Sequence, residues 1–121
     1  QYAAVEALTG NHCFQEAWRL EFRKRRDLAV QMLQDTPGLS LVQPMGTFYC
    51  YVNCSGLLNK TVKSDNDLCQ YFLQEAKVAL VPGSAFGMSP YFRLSYALHI
   101  DELHEGLLGI QDAAKKLLNQ D

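Results

Sequence analysis

The sequence lacks several features that would assign it to a specialised class of protein. It has no long apolar run, since the most apolar stretches, such as residues 78–82, are far shorter than the ~20 residues of a membrane-spanning helix. It also has no excess of one charge, because 11 basic and 13 acidic residues give a formal net charge of -2. We therefore expect no nucleic acid and no membrane among its partners, but small molecules or other protein.

Cysteine is present without the spacing of a metal site or a disulfide framework. The four cysteines, Cys13, Cys50, Cys54 and Cys69, are scattered and form no CxxC pair. We predict free, buried thiols in a reducing compartment, which favours the cytoplasm. The histidines do not complete a ligand set, because His99 and His104 lie five positions apart and do not share a helix face. We expect no metal.

The chain contains no internal repeat, low-complexity tract or linker, and its 121 residues with 48% apolar side chains suit one compact core. Helical periodicity predicts a long amphipathic helix over 12–34, with Phe14, Trp18, Phe22, Ala29 and Leu33 as its apolar stripe. Further helices are predicted over 65–76, with Leu68, Phe72, Leu73 and Ala76 buried, and over 101–119. Strands are predicted over 39–42, 47–52, 78–81 and 91–97, and the strand over 78–81 is predicted to be fully buried. This order predicts an α+β domain in which helices cover a small mixed or antiparallel sheet.

The strand over 91–97 places one arginine among apolar residues. Phe92, Leu94 and Tyr96 share one face of this strand, while Arg93 shares the other face with small residues. A guanidinium in the interior of an apolar strand needs an anionic partner, because desolvating a permanent cation alone is costly. That partner is either a carboxylate from elsewhere in the fold or a bound carboxylate ligand. The alternative is an arginine at a sheet edge with its guanidinium in water.

Six motifs occur together in an order and spacing that resemble one protein family. The motifs are Ala3-Ala4-Val5-Glu6-Ala7-Leu8, Arg25-Arg26-Asp27-Leu28, Pro37-Gly38-Leu39, Pro44-Met45-Gly46-Thr47-Phe48-Tyr49, Val81-Pro82-Gly83-Ser84-Ala85-Phe86-Gly87 and Phe92-Arg93-Leu94-Ser95-Tyr96-Ala97. With these motifs the chain resembles the C-terminal, small domain of the class I, fold type I aminotransferases that depend on pyridoxal phosphate, and the aspartate aminotransferases among them.

The resemblance implies a substrate-binding role for three residues. Arg93 matches the arginine that binds the α-carboxylate of the amino acid or 2-keto acid substrate. Phe48 matches an aromatic residue close to the substrate, and Gly46 a glycine that lets the backbone turn near the site. From the residues alone, Phe48 would share a strand face with Cys50 and Val52, while Tyr49 and Tyr51 would face the other way and serve in packing. The loop over 82–87 would lie at the mouth of the active site, although its composition also suits a simple connector.

The resemblance also implies what this chain does not supply. The six lysines have polar, surface-like surroundings, so none is expected to attach the cofactor, and no catalytic or cofactor-binding residue is expected here. We therefore read the chain as part of a longer enzyme. Residues 1–11 would be the tail of an interdomain helix and 12–121 the small domain. In the parent enzyme the small domain would pack on a large domain that carries pyridoxal phosphate, within a homodimer. Aspartate is the first expectation for the substrate.

Two other classes of function are compatible with the residues. A free-standing module could use Arg93 to bind a carboxylate without catalysis. Alternatively, an interaction domain could associate through the apolar side chains of Tyr2, Val5 and Leu8.

Overall fold

The computed structural model describes residues 1–119. Helices and strands alternate in the order predicted, and two short 3₁₀ turns, Ser55–Leu57 and Gly83–Phe86, lie between them. The elements are α1 (Tyr2–Thr9), α2 (Cys13–Gln34), β1 (Ser40–Leu41), β2 (Tyr49–Asn53), α3 (Asp65–Glu75), β3 (Val81–Pro82), β4 (Tyr91–Ser95) and α4 (Ile100–Leu118). The α+β prediction is confirmed. The last two residues of the small domain predicted over 12–121 lie outside the described residues.

The four strands form one antiparallel sheet in the order β1-β2-β4-β3. Strands β2 and β4 are central and pair along their whole length, with Tyr51 opposite Arg93 and Tyr49 opposite Ser95. On the other side of β4, Val81 of β3 is also opposite Arg93. Because these pairs join segments far apart in the sequence, the sheet brings three separate motifs to one place.

The core lies on one face of the sheet. Phe92, Leu94 and Tyr96 are almost fully buried, which confirms the predicted alternation. Phe72 of α3 packs edge-on against Phe92, with ring centroids 5.9 Å apart. Burying side chains of this size contributes roughly 1.5–3 kcal/mol each. The other core residues come mainly from α2, α4 and β2: Ala29, Val30, Leu33, Cys50, Val52, Leu103, Leu107, Ile110, Ala113, Ala114 and Leu117.

Helix α3 begins with a side-chain cap. The Ser64 hydroxyl accepts a hydrogen bond from the Asp67 backbone N–H at 3.1 Å. Asp67 in turn accepts one from the Lys63 N–H at 3.2 Å, so two amides without a helical partner are satisfied. This fixes the residue at which α3 starts.

Three predictions about burial in the helices and strands were wrong, and so was a fourth, because Cys13 was predicted to be buried and is exposed at the start of α2. In the first half of α2, Phe14 and Trp18 are 47% and 62% exposed, although Ala29 and Leu33 in its second half are fully buried. Neither ring belongs to the core or packs against it, and the two rings pack on each other with centroids 5.2 Å apart. Leu73 of α3 is also 52% exposed, because it lies outside the stripe of α3 that meets the sheet.

The third wrong prediction concerns residues 78–81, which do not form a fully buried strand. Only Val81–Pro82 is a strand, and it lies at the edge of the sheet with both residues half-buried. A continuous apolar run is typical of a strand covered on both faces, but here the run approaches an edge. Within residues 1–119, no helix is both long and apolar enough to cross a membrane.

Candidate functional site

Arg93 lies in the middle of the sheet, on the face opposite the core. Its side chain is half-buried, while Phe92 and Leu94 on either side are buried among the helices. The guanidinium carbon lies 5.1 Å from the centre of the Tyr49 ring and 4.7 Å from the centre of the Phe86 ring. At these distances each ring attracts the cation through a cation–π interaction.

Both aromatic rings lie within cation–π distance of the guanidinium. None of the ion pairs within residues 1–119 includes Arg93. Arg93 does not lie on an edge strand, because β4 has a strand on each side. A guanidinium can bind a planar carboxylate through two parallel hydrogen bonds. Within residues 1–119, no carboxylate forms an ion pair with this guanidinium.

The loop after β3 brings the second ring to Arg93. Residues Gly83–Phe86 form a 3₁₀ turn, and Gly87 closes it in a left-handed conformation with φ 73°. The Gly87 N–H donates to the Ser84 carbonyl at 3.1 Å. A left-handed residue is costly for any side chain with a Cβ, so glycine suits this position. The loop thus lies beside Arg93 and does more than connect two strands.

Sequence reasoning missed two residues that hold this loop. Asp65, at the start of α3, is only 2% exposed, and its Oδ2 accepts a hydrogen bond from the Ser84 N–H at 2.7 Å. The Tyr51 hydroxyl lies 3.3 Å from the Gly83 carbonyl oxygen, to which it donates. Burial raises the pKa of Tyr51, and the nearby Asp65 carboxylate raises it further, which keeps the hydroxyl protonated as a donor. An aspartate at a helix start predicts only a cap, so nothing in the local pattern signalled the loop contact.

Tyr49 was predicted to be a packing residue, but it lies against Arg93. The antiparallel register places Tyr49 opposite Ser95, and therefore diagonally across from Arg93. Diagonal neighbours on one face of a sheet are within reach of an aromatic ring. The alternation of residues 47–52 already indicated that Tyr49 faces away from the buried side chains of the strand. Only the pairing of β2 with β4 shows that its ring meets Arg93.

Phe48 does not lie where the strand pattern predicted. It precedes β2, is 51% exposed, and does not share the buried face of Cys50 and Val52. Its ring packs edge-on against Tyr49, with centroids 5.5 Å apart, so it is a neighbour of the ring that holds Arg93. Its carbonyl accepts the Tyr96 N–H at 2.8 Å, which ties the start of β2 to the end of β4.

Gly46 lies in the bend before β2. A Cβ built on Gly46 would meet nothing within 4 Å. The residue in the left-handed region is Thr47, with φ 67°, so the backbone turn near the site occurs at threonine. Gly46 lines an open groove with Tyr49 and Tyr51, and that groove lies on the same face of the sheet as Arg93.

The lysines of this chain do not fit the attachment of pyridoxal phosphate. Each is exposed, and four of the six contact surface groups. Lys24 and Lys116 pair with Glu21 and Glu75, Lys115 lies 3.8 Å from Asp112, and Lys77 donates to the Gln74 carbonyl. A lysine that carries a cofactor needs a desolvated position facing the substrate, and no lysine within residues 1–119 has one.

The fold agrees with a comparison against known families. Residues 1–109 match the model of the family described as aminotransferase class I and II. The chain belongs to this family. The match includes Arg93 and the loop that carries Phe86.

Curated relatives and solved structures that are similar to this chain are also aminotransferases. The chain is 44% identical to an aspartate aminotransferase of Rhizobium meliloti over 97% of its length, and 40% identical to a probable aspartate/prephenate aminotransferase of Rickettsia prowazekii. It superimposes on the crystal structure of the R. meliloti enzyme with a TM-score of 0.87, over 93% of this chain and 30% of that one. An alanine aminotransferase from Pyrococcus furiosus, 27% identical, also gives 0.87, over 95% of this chain and 29% of that one. The chain spans 30% and 31% of the two curated relatives.

Proposed function

We propose that this chain is the substrate-carboxylate-binding domain of an aminotransferase that uses pyridoxal phosphate, and that Arg93 binds the α-carboxylate. The observation that supports this most strongly is the guanidinium itself. It is held by two aromatic rings and has no ion-pair partner within residues 1–119. The reaction is the transfer of an amino group between an amino acid and a 2-keto acid. Aspartate is the first candidate, because aspartate aminotransferases are among the similar proteins.

The role of Arg93 in that reaction is recognition and orientation. Two parallel N–H···O bonds to the carboxylate fix both the position and the plane of the substrate. Fixing the substrate lowers the entropic cost of reaching the reactive geometry, because the Cα–H bond is then held in one direction. Lysine could not reproduce this, since an ammonium is a point charge without a fork. Gly46 lines the groove on the face of Arg93 and Phe48 packs against Tyr49, and both residues are proposed to border the substrate.

The cofactor and the catalytic lysine are proposed to lie outside this chain. Pyridoxal phosphate supplies an electron sink for the carbanion that forms when the Cα proton leaves. Residues 1–11 are proposed to continue an interdomain helix, and 12–121 to form the small domain, which packs on a large domain within a homodimer. Three buried free thiols, at Cys50, Cys54 and Cys69, favour the cytoplasm as the compartment.

The exposed N-terminal helix supports the proposed contact with further protein. Tyr2, Val5 and Leu8 of α1 are 94%, 58% and 81% exposed, and no residue of α1 is buried. A helix that buries nothing gains little from its own fold, so packing against another protein surface would stabilise it. The same observation favours the second candidate function, a non-catalytic module that associates through α1.

Kinetics of the natural gene product test the role of Arg93. We expect Arg93→Ala to lower kcat/KM by roughly 30-fold or more, since truncating one partner of a desolvated charge pair costs on the order of 2–5 kcal/mol. Arg93→Lys should recover only part of this loss. Arg23→Ala is the matched control, because Arg23 is an exposed arginine of α2 without an ion pair in the described residues. Unchanged kinetics in Arg93→Ala would refute the assignment.

The isolated chain separates the two candidate functions. We expect the purified 121-residue protein to have no aminotransferase activity even with added pyridoxal phosphate. Turnover by the isolated chain would overturn the proposal that the lysine lies elsewhere. Sedimentation that depends on protein concentration, and that is lost in Leu8→Ser, would favour the association module.

A further inference from the structure

The position of the Phe86 ring over Arg93 depends on what holds the loop. The ring is 51% exposed, so it is not fixed by burial in the core. Its contacts are with the Arg93 guanidinium at 4.7 Å and with the Tyr51 ring, whose centroid is 6.5 Å away. An exposed side chain on a short loop keeps one position only if the backbone beneath it is fixed.

Asp65 fixes that backbone. Its Oδ2 accepts the Ser84 N–H at 2.7 Å, and its Oδ1 accepts the Asn66 N–H at 3.2 Å. The first bond joins α3 to a loop residue 19 positions later, two residues before Phe86. None of the ion pairs within residues 1–119 includes Asp65, although it is 2% exposed. A buried carboxylate without a cation is costly, so its backbone N–H bonds and the positive end of α3 are what stabilise it here.

Tyr51 and Gly83 fix the other side of the same turn. The Tyr51 hydroxyl lies 3.3 Å from the Gly83 carbonyl oxygen and 3.4 Å from the Met88 carbonyl oxygen, the two ends of the loop. The Met88 N–H also donates to the Gly83 carbonyl at 3.0 Å. A Cβ on Gly83 would lie 2.1 Å from the Met88 oxygen, so the backbone segments are in close contact. The loop is therefore anchored at both ends and, through Asp65, at its first turn.

We propose that Asp65 is a positioning residue for Arg93, acting through Ser84 and the loop to hold the Phe86 ring against the guanidinium. This inference rests on the proposed function of Arg93. Without the Asp65 contact, the Ser84 N–H is released, the turn loosens and Phe86 no longer restricts the plane of the guanidinium. The carboxylate then meets a fork of variable orientation, so substrate binding weakens while Arg93 itself is unchanged.

The first test measures the loop directly in the natural gene product. Hydrogen exchange of the peptide over 82–88 should accelerate at least tenfold in Asp65→Ala, because the Ser84 amide loses its acceptor. Asp65→Asn keeps an oxygen that can accept the Ser84 N–H and should exchange within about twofold of the wild type. Exchange as slow in Asp65→Ala as in the wild type would overturn the proposal.

The second test is a double-mutant cycle on KM for the amino acid. We expect Asp65→Ala to raise KM by roughly tenfold in the wild-type background and by less than about twofold in the Arg93→Ala background. The difference between the two rises is a coupling of the size usual for residues that act through one another. Asp65→Asn should restore the wild-type KM. An equal rise in both backgrounds, or a lower melting temperature with KM unchanged, would overturn the positioning role.

Two further measurements keep the test decisive. Should Asp65→Ala not fold, Asp65→Ser supplies a residue that suits a helix start but is too short to reach Ser84, and the same cycle applies. Phe86→Ala tests the last step, since its side chain is half exposed and its loss should raise KM without reducing stability. A different result would contradict the proposed function itself: an unchanged KM in the single variant Arg93→Ala.

Discussion

Replacing Gly83 by alanine should destabilise the fold through crowding alone. A Cβ at this position would lie 2.1 Å from the Met88 oxygen, 2.8 Å from the Tyr51 hydroxyl oxygen and 2.8 Å from the Tyr91 Cβ. Two of these neighbours cannot rotate away, because one is backbone and one is a Cβ. The loop must therefore move, at the cost of roughly 1–3 kcal/mol that is typical of overpacking.

Two further effects determine the net loss of stability in Gly83→Ala. Movement of the loop would weaken the bond from Tyr51 to the Gly83 carbonyl, which contributes about 1 kcal/mol. In the opposite direction, alanine restricts the unfolded chain and returns about 0.4–1 kcal/mol. We expect Gly83→Ala to lower the free energy of unfolding by about 2 kcal/mol.

Two other glycines serve as controls in the same urea-unfolding assay, followed by far-ultraviolet circular dichroism. Gly46→Ala meets no atom within 4 Å and needs no left-handed backbone, so its stability should equal or slightly exceed that of the wild type. Gly87→Ala also meets no atom but has φ 73°, which should cost about 1 kcal/mol. Stability of Gly83→Ala equal to that of Gly46→Ala would refute the reasoning from crowding.

Three further predictions concern thiols, alkaline pH and the start of α3. In the native chain one thiol, Cys13, should react quickly with a thiol reagent, and the other three only in denaturant; more than one fast thiol would contradict the burial. Burial raises the pKa of Cys50 and Cys69 to about 11 and of Cys54 to about 12. Unfolded thiols ionise near an ordinary pKa of 9.0, so stability should be full below that pH and fall as the pH rises towards 11. In Cys54→Ala the free energy of unfolding should fall less steeply with rising pH than in the wild type. An unchanged slope would contradict this prediction. Ser64→Ala should lower the free energy of unfolding by about 1 kcal/mol because it removes the cap of α3, and Ser64→Asp should restore that stability. Equal losses of stability in the two variants would argue against the cap.

The parts of the fold that could be predicted from the sequence are those set by local periodicity. The alternation around Arg93 showed which side chains β4 buries, and the 3.6-residue period marked the second half of α2 and the whole of α4. Periodicity shows which face is apolar but not what covers it. For this reason Phe14, Trp18 and Leu73 were predicted to be buried and are exposed.

The surroundings of Arg93 could not be predicted in the same way. Its two rings come from β2 and from the loop after β3, and both reach it only through the order β1-β2-β4-β3. Strand order and register depend on contacts between distant segments, which no local pattern contains. Asp65 is the clearest example, because its sequence context predicts a helix start while its buried oxygen binds a loop.

Binding of a carboxylate by Arg93 can be seen directly in a crystal structure of the natural gene product with an unreactive dicarboxylate such as succinate. The account predicts one carboxylate of the ligand lying in the plane of the Arg93 guanidinium, with two N···O distances of about 2.7–2.9 Å. The rings of Tyr49 and Phe86 should remain against the guanidinium as they are here. A dicarboxylate bound elsewhere, with Arg93 paired to a protein carboxylate, would contradict the account.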